Sequence, residues 1–414
     1  MKFIDMARLY ILVLIFDGDN MNNNFKINNR KVYRMSLTTL SPIFINSGDI
    51  FRKTDYIYKN RIVSVINKKK LISVLEENNK LDTFLGECVS GNFKLTAFLE
   101  KNINNYSSLD IFDYSIKTYS DMQAESAENI EIESDNKELN DIQPFIKSSN
   151  RLPYIPGSSI KGAIRTAIIY GEVMNNKEKY VYLFRDILKT EKKYNFRDIE
   201  SDILKKKLNL FKNMSISDTN EAELDNLYIS QRYDVVTSEN TYHPLPIFLE
   251  VLKPGVKLYF TLSIDKPYSI YSLLKYFSGI YNNKEDNTFY SDYLTLSALI
   301  QENILDKYPL FDDSLNMTPN IFIGGVNGFL TKSIIYSIRK TSNYSSPIKI
   351  KELVNYIKKY LDYQFYDKEN KMPKGRHVIL DDKISPRSLR LVKKDEDNLI
   401  ALGMCNIKVE EELC

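Results

Sequence analysis

The sequence predicts an α+β protein. Short segments of alternating apolar residues, rich in β-branched and aromatic types, recur between longer stretches with a 3.6-residue apolar period. The two kinds are interleaved along 414 residues with long insertions, which disfavours an all-α bundle. Hydrophobic residues make up 43% of the chain and charged residues 27%, enough apolar material for two or three domains with cores of their own. No short internal repeat is present.

The elements follow in order. Lys31 to Ile45 reads as a β segment, with Val32, Met35, Leu37, Ile43 and Ile45 as its buried positions and a turn at Ser47-Gly48. Residues 55–66 read as a hairpin: Tyr56, Ile57 and Tyr58, a Lys59-Asn60 turn, then Ile62, Val63 and Val65. Residues 68–77 give a short helix, and 81–115 are helical in part. Residues 121–141 are acidic, with Glu125, Glu128, Glu131, Glu133, Asp135, Glu138 and Asp141, and read as a solvated loop. A helix begins near Gly157, and two charged helical stretches follow to about Asn209. Asn213 to Asp218 is a short strand ending in a polar turn. Pro246 to Ile264 gives two strands around Lys253-Pro254-Gly255. Helical patterns cover 268–281, 288–303 and 349–363, and another follows a glycine cluster at 324–328. Ser388 to Val392 and Ile400 to Val409 close the chain as strands.

Composition bounds the function. A net charge of +3 excludes a generally polybasic protein, so nucleic-acid binding has to come from local patches. The cysteines, Cys88, Cys405 and Cys414, form no CxxC pair. That disfavours a disulfide framework or a structural zinc site and points to a reducing, cytoplasmic setting. His243, in Tyr-His-Pro, reads as a turn residue, and His377 lies in a basic loop; both read as structural or RNA-adjacent rather than catalytic. Leu9 to Phe16 is an eight-residue apolar run, too short to span a bilayer, and no small-residue cleavage site follows it. Residues 1–25 are read as an N-terminal extension, with a strand added to a sheet or a weak membrane contact as alternatives. The expected division is 26–265 and 266–414.

Leu152 to Ala167, LPYIPGSSIKGAIRTA, is the most informative stretch. Pro153 and Pro156 hold the chain extended, and Gly157 permits a tight reversal. Ser158 or Ser159 can cap a helix whose apolar face is Ile160, Ala163, Ile164, Ala167 and Ile168. Lys161 and Arg165, four residues apart, are surface neighbours. A glycine-serine loop feeding the positive end of a helix that also bears two cations suits a polyanion, most naturally a phosphate backbone. Gly162, in the second turn, costs about 1 kcal/mol against alanine and suits a place where something approaches the backbone. The spacing of Gly157 and Gly162 matches a nucleotide-binding P-loop, but Ala163 and Ile164 stand where that motif needs Lys and Ser or Thr. A second glycine cluster, Gly324, Gly325 and Gly328, lies just ahead of Lys332 and can wrap an anion with main-chain amides.

The segment PYIPGSSIKGAIRTA resembles the RAMP superfamily of CRISPR-associated RNA-binding proteins. Leu40 to Gly48, Asp55 to Tyr58, Ile216 to Asp218, Glu250 to Gly255, Gly324 to Lys332, Pro386 to Leu391 and Leu402 to Met404 resemble one branch of it, the subunit that caps the crRNA 3′ end in type III-A (Csm) effector complexes. The resemblance implies two ferredoxin-like (RRM-like) modules with helical insertions, and a role in binding crRNA and supporting its maturation rather than cutting it. It implies crRNA, the adjacent backbone RAMP subunit and other Csm subunits, and host nucleases as partners, with no cofactor, metal or membrane. On this basis Gly157, Ser158, Ser159, Lys161 and Arg165 form one RNA-binding site. Gly324, Gly325, Gly328 and Lys332 form a second clamp, with Arg387 and Arg390 as weaker candidates. Phe44 stands where the family often has a histidine, Met404 and Cys405 replace a common aromatic, and the RRM aromatic signature is not visible, so no base-stacking residue is assigned. The rival expectation, an endoribonuclease that processes crRNA, has one lone carboxylate in a plausible place, Asp218, whose ordinary role would be to cap a turn.

Overall fold

A computed structural model describes residues 30–118, 139–183, 196–236, 241–265 and 312–325, apart from isolated positions within them. It also describes 351–358, 366–367, 372–373, 388–394 and 398–413, with single residues between 268 and 273. The fold is α+β. Its strands are β1 (Arg30–Thr39), β2 (Tyr56–Lys59), β3 (Ile62–Ile66), β4 (Phe112–Lys117), β5 (Ile142–Gln143), β6 (Met214–Ile216), β7 (Leu227–Val236), β8 (Thr241–Leu252), β9 (Lys257–Asp265), β10 (Ile321–Phe322), β11 (Tyr366–Asp367), β12 (Met372–Pro373), β13 (Ser388–Lys393), β14 (Leu399–Ala401) and β15 (Met404–Glu412). Its helices are α1 (Lys68–Glu77), α2 (Leu81–Val89), α3 (Leu95–Asn102), α4 (Gly157–Asn175) and α5 (Phe196–Lys212). No described helix is long and apolar enough to cross a membrane.

Two five-stranded sheets organise these elements. The first has the order β10-β15-β1-β9-β6, and all its pairings are antiparallel. The second has the order β14-β13-β7-β8-β5. Among the described residues, a three-stranded meander β2-β3-β4 and the β11-β12 ribbon complete the set. Both large sheets draw strands from either side of the 265/266 boundary read from the sequence.

Period-2 alternation sets the inner face of the first sheet. Tyr33, Met35 and Leu37 of β1, Leu258, Phe260, Leu262 and Ile264 of β9, and Cys405 and Ile407 of β15 all enter one core. Ile160, Ile164, Ala167 and Ile168 of α4 pack into the same core, as do Leu227, Ile229, Phe248 and Leu252 of the second sheet and Tyr56, Tyr58, Val63 and Val65 of the meander. Val32, expected to be buried, is only partly so, because its parity places it on the face opposite Tyr33, Met35 and Leu37.

Several elements depart from expectation. β1 ends at Thr39, and residues 40–45 continue only with one isolated bridge, at Ile43, because Pro42 has no amide for a ladder. The segment 81–115 gives α2 and α3, but its end turns into β4, paired with β3. β7 was not expected at all: its polar Ser230, Gln231, Arg232 and Asp234 and a bulge between Gln231 and Tyr233 obscure the alternation. Its partner β8 starts at Thr241, so His243 lies in a strand opposite Asp234, not in a turn. Pro244 sits beside the bulge, where a missing amide is tolerated. The single strand expected at 400–409 is two, β14 and β15, divided at Gly403 with φ +95°. The helical patterns at 268–281 and 288–303, the one after 325, and the acidic loop up to residue 138 lie outside the described residues.

A buried charge network joins the second sheet to the meander. Glu250 of β8 is 0% exposed and Lys147 is 7% exposed, and they form an ion pair. The Tyr114 hydroxyl of β4 donates to Glu250 Oε1 at 2.9 Å, and the Phe145 amide donates to Oε2 at 2.9 Å. The Lys147 ammonium also donates to the Tyr114 oxygen at 3.0 Å and to the Phe145 carbonyl at 3.3 Å. Burial pulls the Lys147 ammonium below the ordinary lysine value, and Glu250 opposes that shift. Burial, then the Glu250 charge, pushes the Tyr114 hydroxyl well above the ordinary tyrosine range. Lys147 bridges to Pro153 across the 148–152 turn, so the network anchors the approach to α4. Removing one partner of such a pair strands a buried charge. Glu250→Gln is therefore expected to cost about 3–5 kcal/mol, read as a lower denaturant midpoint. Glu250→Leu combined with Lys147→Met should recover much of that stability.

Candidate nucleic-acid interface

The segment leading into α4 is held on both sides. The Ser148 amide donates to the Leu152 carbonyl, the Ala222 amide to Pro153, and the Thr219 amide to Ile155. The Ile155 amide in turn donates to the Thr219 hydroxyl at 2.9 Å. Pro156 then occupies the N-cap position at φ −62°, ψ 137°, the extended geometry proline favours. The helix starts at Gly157, so Ser158 and Ser159 lie inside its first turn and neither caps it.

The cap comes from a distant residue. Asp218 Oδ1 accepts the Gly157 amide at 2.7 Å, satisfying one of the orphan donors of a helix start and placing negative charge at the positive end of the dipole. The expectation that this amide is offered to a phosphate is corrected. Gly157 serves packing: a Cβ there would lie 2.6 Å from the Ser217 carbonyl oxygen and closer still to that of Ile216. Lys161 is also committed, its ammonium donating to the Met214 carbonyl at 2.7 Å, so it ties α4 to β6 instead of standing free beside Arg165.

What remains open is a stripe of i, i+4, i+7 positions. Ser158, Gly162 and Arg165 are all exposed. The Ser159 and Ile160 amides reach back to the Pro156 carbonyl, while the Ser158 amide has no partner among the described residues. Nothing lies within 4 Å of a Cβ built on Gly162, so the fold itself does not require glycine there. The Arg165 guanidinium makes no ion pair or hydrogen bond among the described residues. On the opposite face, Ile160, Ile164 and Ile168 are buried, and Glu172 meets Lys207 of α5 at 2.8 Å.

The described glycines of the second cluster, Gly324 and Gly325, pack against the fold. Gly324 adopts φ +99°, and a Cβ there would collide with the Phe44 carbonyl oxygen. The Gly325 amide donates to that same oxygen at 2.7 Å, so these glycines dock the loop after β10 on residue 44 and the Gly325 amide is not offered to RNA. Phe44 itself is 1% exposed and packs with Tyr228, Leu249 and Val392. Gly328, Lys332, Arg387 and His377 lie outside the described residues. Arg390 of β13 faces Asp234 across the ladder, and Asp234 also receives a forked contact from Arg232 at 3.0–3.2 Å. Partial burial, then the neighbouring Arg232 charge, pulls the Arg390 guanidinium below its ordinary value. The cap on Gly157, the docking of Gly324 on Phe44 and the Lys147–Glu250 pair were not assigned from the sequence. Only the Asp218 cap had a signal, a lone carboxylate after a short strand.

The two glycines of the loop make opposite predictions. Gly157→Ala forces backbone apart and is expected to lower the melting temperature by several degrees. Gly162→Ala, in open space within a helix, is expected to stabilise by about 1 kcal/mol. Thermal unfolding of the two variants against wild type checks both signs.

A model of the RAMP superfamily matches residues 36–395. A curated relative from Streptococcus thermophilus named "CRISPR system Cms protein Csm5" is 25% identical over 398 residues, covering 93% of this chain and 99% of the relative. A protein of the same name from Methanocaldococcus jannaschii is 30% identical over 187 residues, covering 44% of this chain and 41% of the relative. A chain from a cryo-EM structure of a Csm-crRNA-target RNA ternary complex in a type III-A CRISPR-Cas system shares the fold with a TM-score of 0.55 at 18% identity, covering 91% of this chain and all of that one.

Proposed function

The chain belongs to the RAMP superfamily, and from that premise we propose that it is a non-catalytic crRNA-binding subunit of a type III-A CRISPR ribonucleoprotein. In this role it caps the backbone of repeated RAMP subunits at the crRNA 3′ end and supports crRNA maturation. Its modules are ferredoxin-like. Its partners are the crRNA, the adjacent backbone subunit and other subunits of the Csm complex, with host nucleases recruited for trimming. The full-length similarity to the Streptococcus thermophilus relative supports the assembly.

The observation that carries the RNA reading is the open stripe of α4. A free helix N-terminal amide at Ser158, a side-chain-free backbone at Gly162 and an uncommitted guanidinium at Arg165 share one face. One phosphate meets the Ser158 main-chain donor and another meets the planar fork two turns, about 10 Å, further on. The absent Cβ of Gly162 lets the ribose-phosphate chain lie against the helix between them. Such contacts position a strand without reading its bases, which suits a subunit that accepts any spacer.

Arg165→Glu in the full chain is expected to weaken binding of a single-stranded RNA and to flatten the dependence of log K on log salt by about 0.7 for each phosphate no longer neutralised. Lys161, committed to the Met214 carbonyl, should affect stability more than that slope when changed to Met. An unchanged affinity and slope for Arg165→Glu, read by anisotropy across a salt series, would remove the assignment.

A further inference from the structure

Pro153 and Ile155 are buried, and the residue between them points the other way. Tyr154 is partly exposed and lies outside the side chains that pack into or against the main core. Its hydroxyl and ring make no hydrogen bond, ring contact or cation contact among the described residues. The backbone under it is fixed by bonds at Pro153, Ile155 and Thr219. A rigid extended segment thus presents a partly exposed aromatic ring four residues before the free Ser158 amide.

We infer that Tyr154 is a stacking platform for one base of single-stranded RNA, next to the phosphate held at the start of α4. The inference rests on the RNA-binding reading above and deepens it, adding an uncharged contact to a site otherwise built from charge and main-chain donors. A π-face accepts any base, so Tyr154 strengthens binding without imposing a sequence. It also keeps the strand in register, because the base and its phosphate are held by one continuous stretch of chain. The pre-fixed backbone means that little ordering is needed when the base arrives.

The chain contains no tryptophan, so Tyr154→Trp places a single tryptophan at the platform, excited selectively over the tyrosines. The full-length variant is titrated with a uridine homopolymer, with anisotropy of the labelled RNA measured in parallel. Tryptophan emission is expected to be quenched along the same isotherm as the anisotropy. Tyr154→Phe should bind like wild type. Tyr154→Ala should bind roughly 5- to 150-fold more weakly with its salt slope unchanged, unlike Arg165→Glu. Binding by anisotropy with unmoved emission, or wild-type affinity in Tyr154→Ala, overturns the stacking role while leaving the phosphate site intact. Quenching that persists when Arg165→Glu leaves affinity and slope unaltered sinks the phosphate reading but keeps the platform. No binding of RNA by the full chain sinks both.

Discussion

The buried pair of Lys147 and Glu250 is the constraint on which the rest of the fold turns. Two charges are taken out of water at the meeting of β8, β4 and the chain before α4. Such a pair gains little net stability over an apolar substitute, but it tolerates only one arrangement. Each oxygen of Glu250 and the ammonium of Lys147 has named partners, so a shift of the meander against the second sheet would leave one of them bare. The rigid approach to α4 begins at Lys147, through its bridge to Pro153. Electrostatics inside the molecule thereby sets the geometry of the surface loop.

The glycine-serine loop divides its labour accordingly. Gly157, Lys161 and Asp218 are bonded within the fold and lock the helix onto β6. Ser158, Gly162 and Arg165 face outward and are left uncommitted by the fold. A motif that looks like one contiguous site is two interleaved sets separated by helical periodicity, one bound into the fold and one left open. The same holds at Gly324 and Gly325, where backbone freedom is spent on docking against residue 44.

Much of this was legible in the sequence. The inward faces of α4, β1 and β9 follow from apolar spacing, and the hairpin at 56–66 from its turn residues. β7 was hidden because its polar positions and bulge break the period by which strands are recognised, and β4 because it follows helices without a strong turn signal. Lys147 and Glu250 look like surface residues in a linear reading; only strand pairing brings together positions 103 residues apart. Asp218 was visible as a lone carboxylate, but its cap on a helix 61 residues earlier depends on β6 lying beside α4. Local chemistry was readable, and long-range partners were not.

The pairing of β1 with β15 has a consequence for biosynthesis. The Ser41 hydroxyl accepts the amide of a residue 363 positions later, so the middle strand of the first sheet lacks its second neighbour until nearly all of the described chain has left the ribosome. At translation rates of about 5–20 residues per second, that interval lasts roughly 20–70 s. Throughout it, β1 exposes an unpaired edge that could recruit a strand from another nascent chain. Early shielding by a chaperone or an assembly partner would suit such a molecule better than folding alone.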